Sequence, residues 1–246
     1  MRAVFLSDAH IRDHADPNLP PLMAFLRSLE GKVDRLIVAG DLFDTWFGFR
    51  HAVFPEYVPL LGALHRLTES GVRLVYVTGN HDFEMGRFFT DVLKAEVHDT
   101  QLVLEEDGRR AFVAHGDMAN LHDRKYRRLR RFLRWSPTRA LARRLPPGWV
   151  WAIAQKMTHH FTGEEIARRL PLAQIFSDYA DAKLAEGFDT VILGHLHIPV
   201  FDQRPAGTYA NLGDWITART FLRWEDGRLE LKRWAWPEGT EEGVGT

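Results

Sequence analysis

Arg35-Leu-Ile-Val-Ala-Gly-Asp-Leu-Phe-Asp44 is the stretch whose reading decides the fold. Leu36 to Ala39 is a short apolar run of the kind that makes a strand buried on both faces, and Gly40 lets the chain turn so that Asp41 stands at the strand's C-terminal edge. Four other stretches repeat the design: Val4-Phe-Leu-Ser-Asp-Ala-His10, Leu74-Val-Tyr-Val-Thr-Gly-Asn-His-Asp82, Ala111-Phe-Val-Ala-His-Gly-Asp117 and Thr190-Val-Ile-Leu-Gly-His-Leu-His197. Five strands that each end in hard oxygen or imidazole donors predict one rim carrying all of them. On that rim Asp41 is expected to bridge two metal ions.

Composition narrows the chemistry. The 246 residues suit one sizeable α/β domain, alone or with an inserted cap, and a 45% hydrophobic content supplies a core. The net charge of -1 gives no overall attraction to nucleic acid or membrane, so partners must be read from local charge. With no cysteine, disulfides, thiolate metal sites and cysteine nucleophiles are excluded, and metal chemistry falls to Asp, His and Asn. Ala3 to Leu6 is too short for a signal-peptide segment and no run approaches the ~18 apolar residues of a membrane span. A cytoplasmic protein is expected, in peripheral contact with the inner membrane.

Along the chain, Asp8-x-His10 follows a first strand from Arg2 to Leu6, and two side chains on a turning backbone can converge on one cation. Helices are expected near Leu22 to Leu29 and Val58 to Glu69 from their apolar spacing, the second stopped by Gly71. Asp44, Trp46 and Phe47 read as a surface turn with packed aromatics. The strand Arg73 to Val77 delivers Gly79-Asn-His-Asp82, in which Asn80 offers a neutral ligand oxygen and His81 an acid near a leaving group. Short strands fill Val97 to Ala114, with a hairpin turn at 106–108.

Residues 118 to about 185 break the strand rhythm and read as a helical insertion. Between Arg124 and Pro146 there is no acid at all. Tyr126, Leu129, Phe132 and Leu133 share one helical face and Arg127, Arg130, Arg131 and Arg134 the other, a cationic face suited to phosphate or anionic lipid. Trp135, Trp149, Val150, Trp151, Ile153 and Met157 add bulky apolar surface suited to a lipid-facing cap. Strands resume at Thr190 and are expected to build a second sheet through Trp236. Asn211 to Trp215 reads as a tight turn, and the last ten residues as a frayed tail.

Taken together, Asp8-x-His10, Gly40-Asp41, Gly79-Asn-His-Asp82, His115 and Gly194-His-x-His197 resemble the signature of the calcineurin-like metallophosphoesterase family. The resemblance covers roughly residues 1 to 117 and 188 to 236. It implies an α/β fold, a four-layer sandwich of two mixed sheets flanked by helices, making one domain over 1–246 with a helical cap at 118–185. It also implies two divalent metal ions, manganese as the first expectation: Asp8, His10, Asp41 and His197 around one, Asp41, Asn80, His115 and His195 around the other. One bridging carboxylate can hold two dications about 3.5–4 Å apart and so activate water for in-line attack on phosphorus. His81 is then the acid or charge stabiliser at the leaving group, and Asp82 is expected to orient a neighbouring histidine.

Within the family the pattern is most similar to the branch that hydrolyses the pyrophosphate of UDP-2,3-diacylglucosamine in lipid A synthesis, giving UMP and 2,3-diacylglucosamine 1-phosphate. The helical insertion directly after His115-Gly-Asp117, with Asp123 and Tyr126 following, carries that likeness. It implies a nucleotide-activated glycolipid as substrate, with Asn80, Asp123, Tyr126, Arg130 and His195 in contact with it, an anionic membrane surface as the other partner, and no protein partner. Two departures stand beside it: His81 replaces the Arg of that branch's Gly-Asn-Arg-Asp, and its polar cap cluster has no clear match around Met157 to Glu165. A phosphodiesterase acting on a nucleotide or nucleic acid would use the same basic face. A non-catalytic module would be expected to have lost donors that are all present here.

Overall fold

A computed structural model describes residues 1–106, 108–162 and 166–244, with 155, 157–162 and 166–171 described by backbone alone. The chain opens with β1 (Arg2–Leu6), α1 (Leu19–Leu29), β2 (Arg35–Val38), the two-residue β3 (Trp46–Phe47), α2 (Val58–Glu69), β4 (Arg73–Val77) and β5 (Asp82–Glu84). Then follow β6 (Glu96–His98), the hairpin β7 (Gln101–Glu106) and β8 (Arg109–Ala114), and four helices: α3 (Arg124–Leu133), α4 (Ser136–Ala142), α5 (Pro147–Thr162) and α6 (Ile166–Ala185). The last strands are β9 (Thr190–Leu193), β10 (Pro199–Arg204), β11 (Gly207–Leu212), β12 (Thr220–Glu225), β13 (Arg228–Ala235) and β14 (Thr240–Gly243).

These strands form two mixed sheets, β14-β13-β12-β1-β2-β4-β6 and β10-β11-β9-β8-β7. Side-chain alternation sorts their residues into three cores. Phe5, Ile37, Val75 and Val77 of the first sheet meet Leu104, Val113, Ile192 and Leu212 of the second between the sheets. On the next positions Val4, Leu6, Leu36 and Val38 point outward, under Leu22, Phe25 and Leu26 of α1 and Leu60 and Leu64 of α2. Phe112, Val191 and Leu193 face Phe176, Ala180 and Leu184 of α6. The order is helix, sheet, sheet, helix, the four layers expected.

α1 begins at Leu19, earlier than its apolar spacing suggests, because Pro20 and Pro21 occupy the first turn, where a missing N–H costs nothing. α2 ends as expected, with Gly71 beyond it at φ +92°. Other expectations are corrected. Trp46 and Phe47 are not a surface turn: both are buried, β3 pairs with β5, and the Trp46 indole donates to the Met85 carbonyl at 3.0 Å. β12 and β13 do not extend the second sheet, since β12 pairs antiparallel with β1 and buries Trp224 against Phe5 between the two sheets. The tail is not wholly frayed, because Thr240–Gly243 adds an edge strand to β13.

The two faces of α3 are not sorted as expected, since Arg127, Arg130 and Arg134 are part-buried alongside Tyr126, Leu129 and Leu133. Phe132 is 57% exposed, whereas the Arg130 and Arg134 side chains are only 10% and 13% exposed. The apolar residues of α3 are too few to outcompete the carboxylate and carbonyl groups that draw these guanidinium groups inward. In α5, Val150 is buried and Trp151 packs on Phe54, while Trp149 and Ile153 stay exposed. The polar cap cluster sought around Met157 to Glu165 lies outside the residues whose side chains are described.

Candidate metal centre

β1, β2 and β4 run parallel in one sheet, β8 and β9 in the other, and their C-terminal ends converge. Backbone bonds lock the loops together: Asp8 N–H donates to the Gly40 carbonyl, His10 N–H to that of Asp41 and Gly194 N–H to that of His115. Asp8, His10, Asp41, His195 and His197 all take the left-handed conformation, at φ between 45° and 65°. Such backbone is uncommon for residues other than glycine and persists only where the surroundings impose it. Here it aims five donor side chains into one space.

The donors fall into two groups. Asp8, His10 and His197 lie together, with Asp8 Oδ1 3.1 Å from His197 Nε2, 3.6 Å from His10 Nε2, and the two Nε2 atoms 3.3 Å apart. Asp41, His115 and His195 form the other, where His115 Nε2 lies 3.1 Å from Asp41 Oδ2, 3.1 Å from His195 Nδ1 and 3.0 Å from Asn80 Oδ1. Asp41 Oδ2 also lies 4.0 Å from His10 Nε2, so this carboxylate sits between the groups. An octahedral cation with ~2.1 Å bonds has donor separations of about 3.0 Å, which these edges match. The buried Asp8 Oδ1 faces the imidazoles of His197 and His10. All seven donors expected from sequence are thus brought together.

Electrostatics suit a cation. Burial disfavours charge on Asp8 and Asp41, yet His197 and His115 beside Asp8, and His115 and His81 beside Asp41, hold both carboxyls below the usual range. Burial lowers His10, and burial together with His115 lowers His195 to about 4, so both are neutral imidazoles, the form that ligates metal. Burial also acts against charge on His115, but Asp41 and Asp8 outweigh it and push its imidazole up to about 10. Two buried carboxylates here call for positive charge, which a proton or a dication supplies. His115 Nδ1 faces the Ala39 carbonyl at 2.8 Å, which fixes a tautomer that leaves Nε2 to the site.

His81 stands at the rim. Its Nδ1 lies 2.5 Å from the Asp44 carbonyl and its Nε2 3.9 Å from Asp41 Oδ2. His10, Asp44 and His81 make a third close group, so Asp44 belongs to the site's edge. Asp82 contacts no histidine side chain in the observed bonding. It instead accepts the N–H groups of Asp41 and Gly79, each at 2.9 Å, and the Tyr76 hydroxyl at 3.0 Å. Burial, with Asp41 adding to it, raises Asp82 to about 6.

Three of the five residues expected to touch substrate, Asp123, Tyr126 and Arg130, are engaged in holding α3, while Asn80 and His195 lie in the second donor group. Asp123 caps the helix by accepting the Tyr126 N–H at 2.9 Å. The Tyr126 hydroxyl donates to Asp117 at 2.5 Å, and Arg130 Nε pairs with the same carboxylate at 2.5 Å. Sequence reading put Arg134 on a cationic face but missed its anchoring bonds, to Thr78 Oγ1 at 2.7 Å, to the Gly79 carbonyl at 2.8 Å and to the Asp99 carbonyl. It also missed Asn211, whose amide donates to the Gly194 carbonyl at 2.9 Å, and Asp214, 3.9 Å from His197 Nδ1. The sequence alone reads Asn211 to Trp215 as a tight turn with no part in the site.

Two donor clusters sharing a carboxylate define the class of centre that hydrolyses phosphoesters with a metal pair. The family model for calcineurin-like phosphoesterases matches residues 1–199, and the chain belongs to that family of metal-dependent phosphoester hydrolases. It is 30% identical to a UDP-2,3-diacylglucosamine hydrolase of Ralstonia nicotianae over 92% of this chain and 90% of that one. A protein of the same name from Aeromonas salmonicida is 29% identical over 99% and 98%. An archaeal phosphodiesterase of known structure shares the fold at 15% identity, TM-score 0.50, over 94% of this chain and 98% of that one.

Proposed function

We propose that the chain hydrolyses the pyrophosphate bond of UDP-2,3-diacylglucosamine, releasing UMP and 2,3-diacylglucosamine 1-phosphate. The observation that supports this reading most is the pair of donor clusters beside a helical segment that turns Arg130 and Arg134 inward and leaves Phe132, Trp135, Leu141, Trp149 and Ile153 exposed. Asp8, His10, Asp41 and His197 hold one divalent ion, and Asp41, Asn80, His115 and His195 the second; manganese suits these oxygen and imidazole donors. When bound, the ions neutralise phosphoryl oxygens and lower the pKa of the attacking water. His81, oriented through the Asp44 carbonyl, donates a hydrogen bond or proton to the leaving oxygen. Asn80 and His195 border the phosphoryl group, and Asp123, Tyr126 and Arg130 set the wall of the substrate cleft.

Residues 118–185 act as a cap on a single domain. Phe132, Trp135, Leu141, Trp149 and Ile153 are each more than half exposed and supply a surface for acyl chains or for peripheral contact with the cytoplasmic face of the inner membrane. No helix of the described residues is long and apolar enough to cross a membrane. The inward arginines also suit a second reading, a phosphodiesterase acting on a nucleotide or nucleic acid. Incubation of manganese-loaded protein with UDP-2,3-diacylglucosamine separates the two. UMP and the lipid 1-phosphate, abolished by chelator, are expected; turnover of simple diesters alone would transfer the site to the second reading.

A further inference from the structure

Arg134 closes α3 as its C-terminal cap, and its side chain turns toward the loop that follows β4 rather than toward water. Nη1 donates to Thr78 Oγ1 at 2.7 Å and to the Asp99 carbonyl, and Nη2 to the Gly79 carbonyl at 2.8 Å and, more weakly, to that of Asp82 at 3.4 Å. The fork thus spans both ends of Gly79-Asn-His-Asp82. His81 has ties of its own: its N–H donates to Asp41 Oδ1 and its carbonyl accepts the Trp46 N–H, each at 2.9 Å. The Asn80 backbone has none among the described residues, while its Oδ1 must be held 3.0 Å from His115 Nε2. The Gly79 carbonyl belongs to the planar peptide unit that leads into Asn80, so holding that oxygen fixes the plane from which the Asn80 side chain departs.

The charge of Arg134 works against this placement. Its side chain is largely buried, burial together with Arg130 holds it below its ordinary value, and its carboxylate neighbour, Asp99, is 3.8 Å away and mostly exposed. A cation set beside a site for dications also repels them. What the guanidinium offers instead is geometric, a planar fork whose N–H directions are fixed. We propose that Arg134 is a positioning residue of the second metal site, which by clamping the Gly79 carbonyl sets the direction in which Asn80 presents Oδ1 to the ion. The inference rests on the assignment of Asn80 to that ion, proposed above, and adds that the helical insertion, beyond any part in binding substrate, completes the metal centre.

Calorimetric titration of the metal-depleted full chain with Mn2+ tests this, because position and charge act with opposite sign. Loss of a positioning contact weakens the ion's hold, whereas loss of a nearby positive charge alone tightens it. Arg134→Ala is expected to bind the second ion about 10–100-fold more weakly, the scale for groups that orient metal ligands, with the first unchanged. Asn80→Ala should weaken the same ion, and adding Arg134→Ala to it should cost little more, since nothing is left to position. Arg134→Lys, which keeps a donor but not the fork, should fall between, and it carries the same comparison if the alanine variant does not fold. Arg143→Ala, which removes another anchor of the insertion, to Glu84 at 2.7 Å, should leave both ions as in wild type. Unchanged or tighter binding in Arg134→Ala, an equal loss in Arg143→Ala, or a loss that adds in full to that of Asn80→Ala overturns the role and leaves the two-ion centre standing. Failure of Asn80→Ala to weaken manganese strikes the ligand assignment itself, and the role of Arg134 with it.

Discussion

One carboxylate oxygen of Asp82 accepts the backbone N–H of Asp41 at 2.9 Å, holding the left-handed backbone of the residue that lies between the two donor clusters. The two loops are tied a second time, because Asp41 Oδ1 accepts the His81 N–H at 2.9 Å. Asp82→Ala strands three buried donors, the N–H groups of Asp41 and Gly79 and the Tyr76 hydroxyl, at about 1–3 kcal/mol each. The variant should unfold at lower denaturant concentration and bind Mn2+ about 10–100-fold more weakly, as for other groups that orient metal ligands. Unchanged manganese affinity would remove Asp82 from this role.

Gly79 is required by proximity. A Cβ built there would lie 2.1 Å from Asp41 Oδ1 and 3.0 Å from the Asp41 nitrogen. Gly79→Ala must displace the carboxylate or the loop, at a cost of about 1–3 kcal/mol for such overpacking. Phosphodiester turnover should drop at least about tenfold while far-ultraviolet circular dichroism stays native. Gly62→Ala, in helical backbone where the added carbon meets only the Arg66 guanidinium at 3.8 Å, is the control for a site-specific effect.

In the proposed reaction His81 acts on the leaving group rather than holding metal. His81→Ala should therefore lower kcat by about 10²–10⁴-fold, the range for a lost general acid, and leave metal stoichiometry as in wild type. A leaving group of low pKa, such as p-nitrophenolate, needs less protonation and should show the smaller loss. An equal loss for good and poor leaving groups would assign His81 to another task.

The seat of α3 depends on charge. Burial works to raise the Asp117 carboxyl, but Arg130 and His115 hold it below its ordinary value. A carboxylate depressed in the folded state contributes stability in full above the unfolded value of about 3.9 and loses it as pH falls through the folded value. Docking of α3 should thus persist from neutral pH down to about 4 and fail only in stronger acid. Arg130→Ala leaves burial unopposed by the guanidinium, so release should begin at higher pH. Trp135 fluorescence during acid titration reads this directly, and an unmoved transition would show that Arg130 does not set it.

How legible the protein was in its sequence depended on the range of the forces involved. Strand ends such as Val38-Ala-Gly-Asp41 and Leu193-Gly-His-Leu-His197 announce themselves, because apolar runs and the donors that follow are local in the chain. The seven candidate donors were chosen that way, and the structure brings them together. The inward bonds of Arg134 were not foreseen, since its partners Thr78, Gly79 and Asp99 lie more than thirty residues away and arginine at helical spacing normally faces water. The same limit hid the return of β12 to β1, which the shared burial of Trp224 and Phe5 between the sheets dictates and alternation alone does not encode. Asp82 was expected on a histidine and instead serves backbone amides, a choice made by the tight turn at Gly79.

The central claim is a pair of cations bridged by Asp41, and counting bound metal tests it most directly. Metal-depleted protein titrated with Mn2+ and read by calorimetry and elemental analysis should take up two ions per chain. Asp41→Ala should lose at least one of them together with phosphodiester hydrolysis, while circular dichroism stays close to wild type. One ion per chain in the wild type, or hydrolysis that survives Asp41→Ala, would contradict a bridged dinuclear centre.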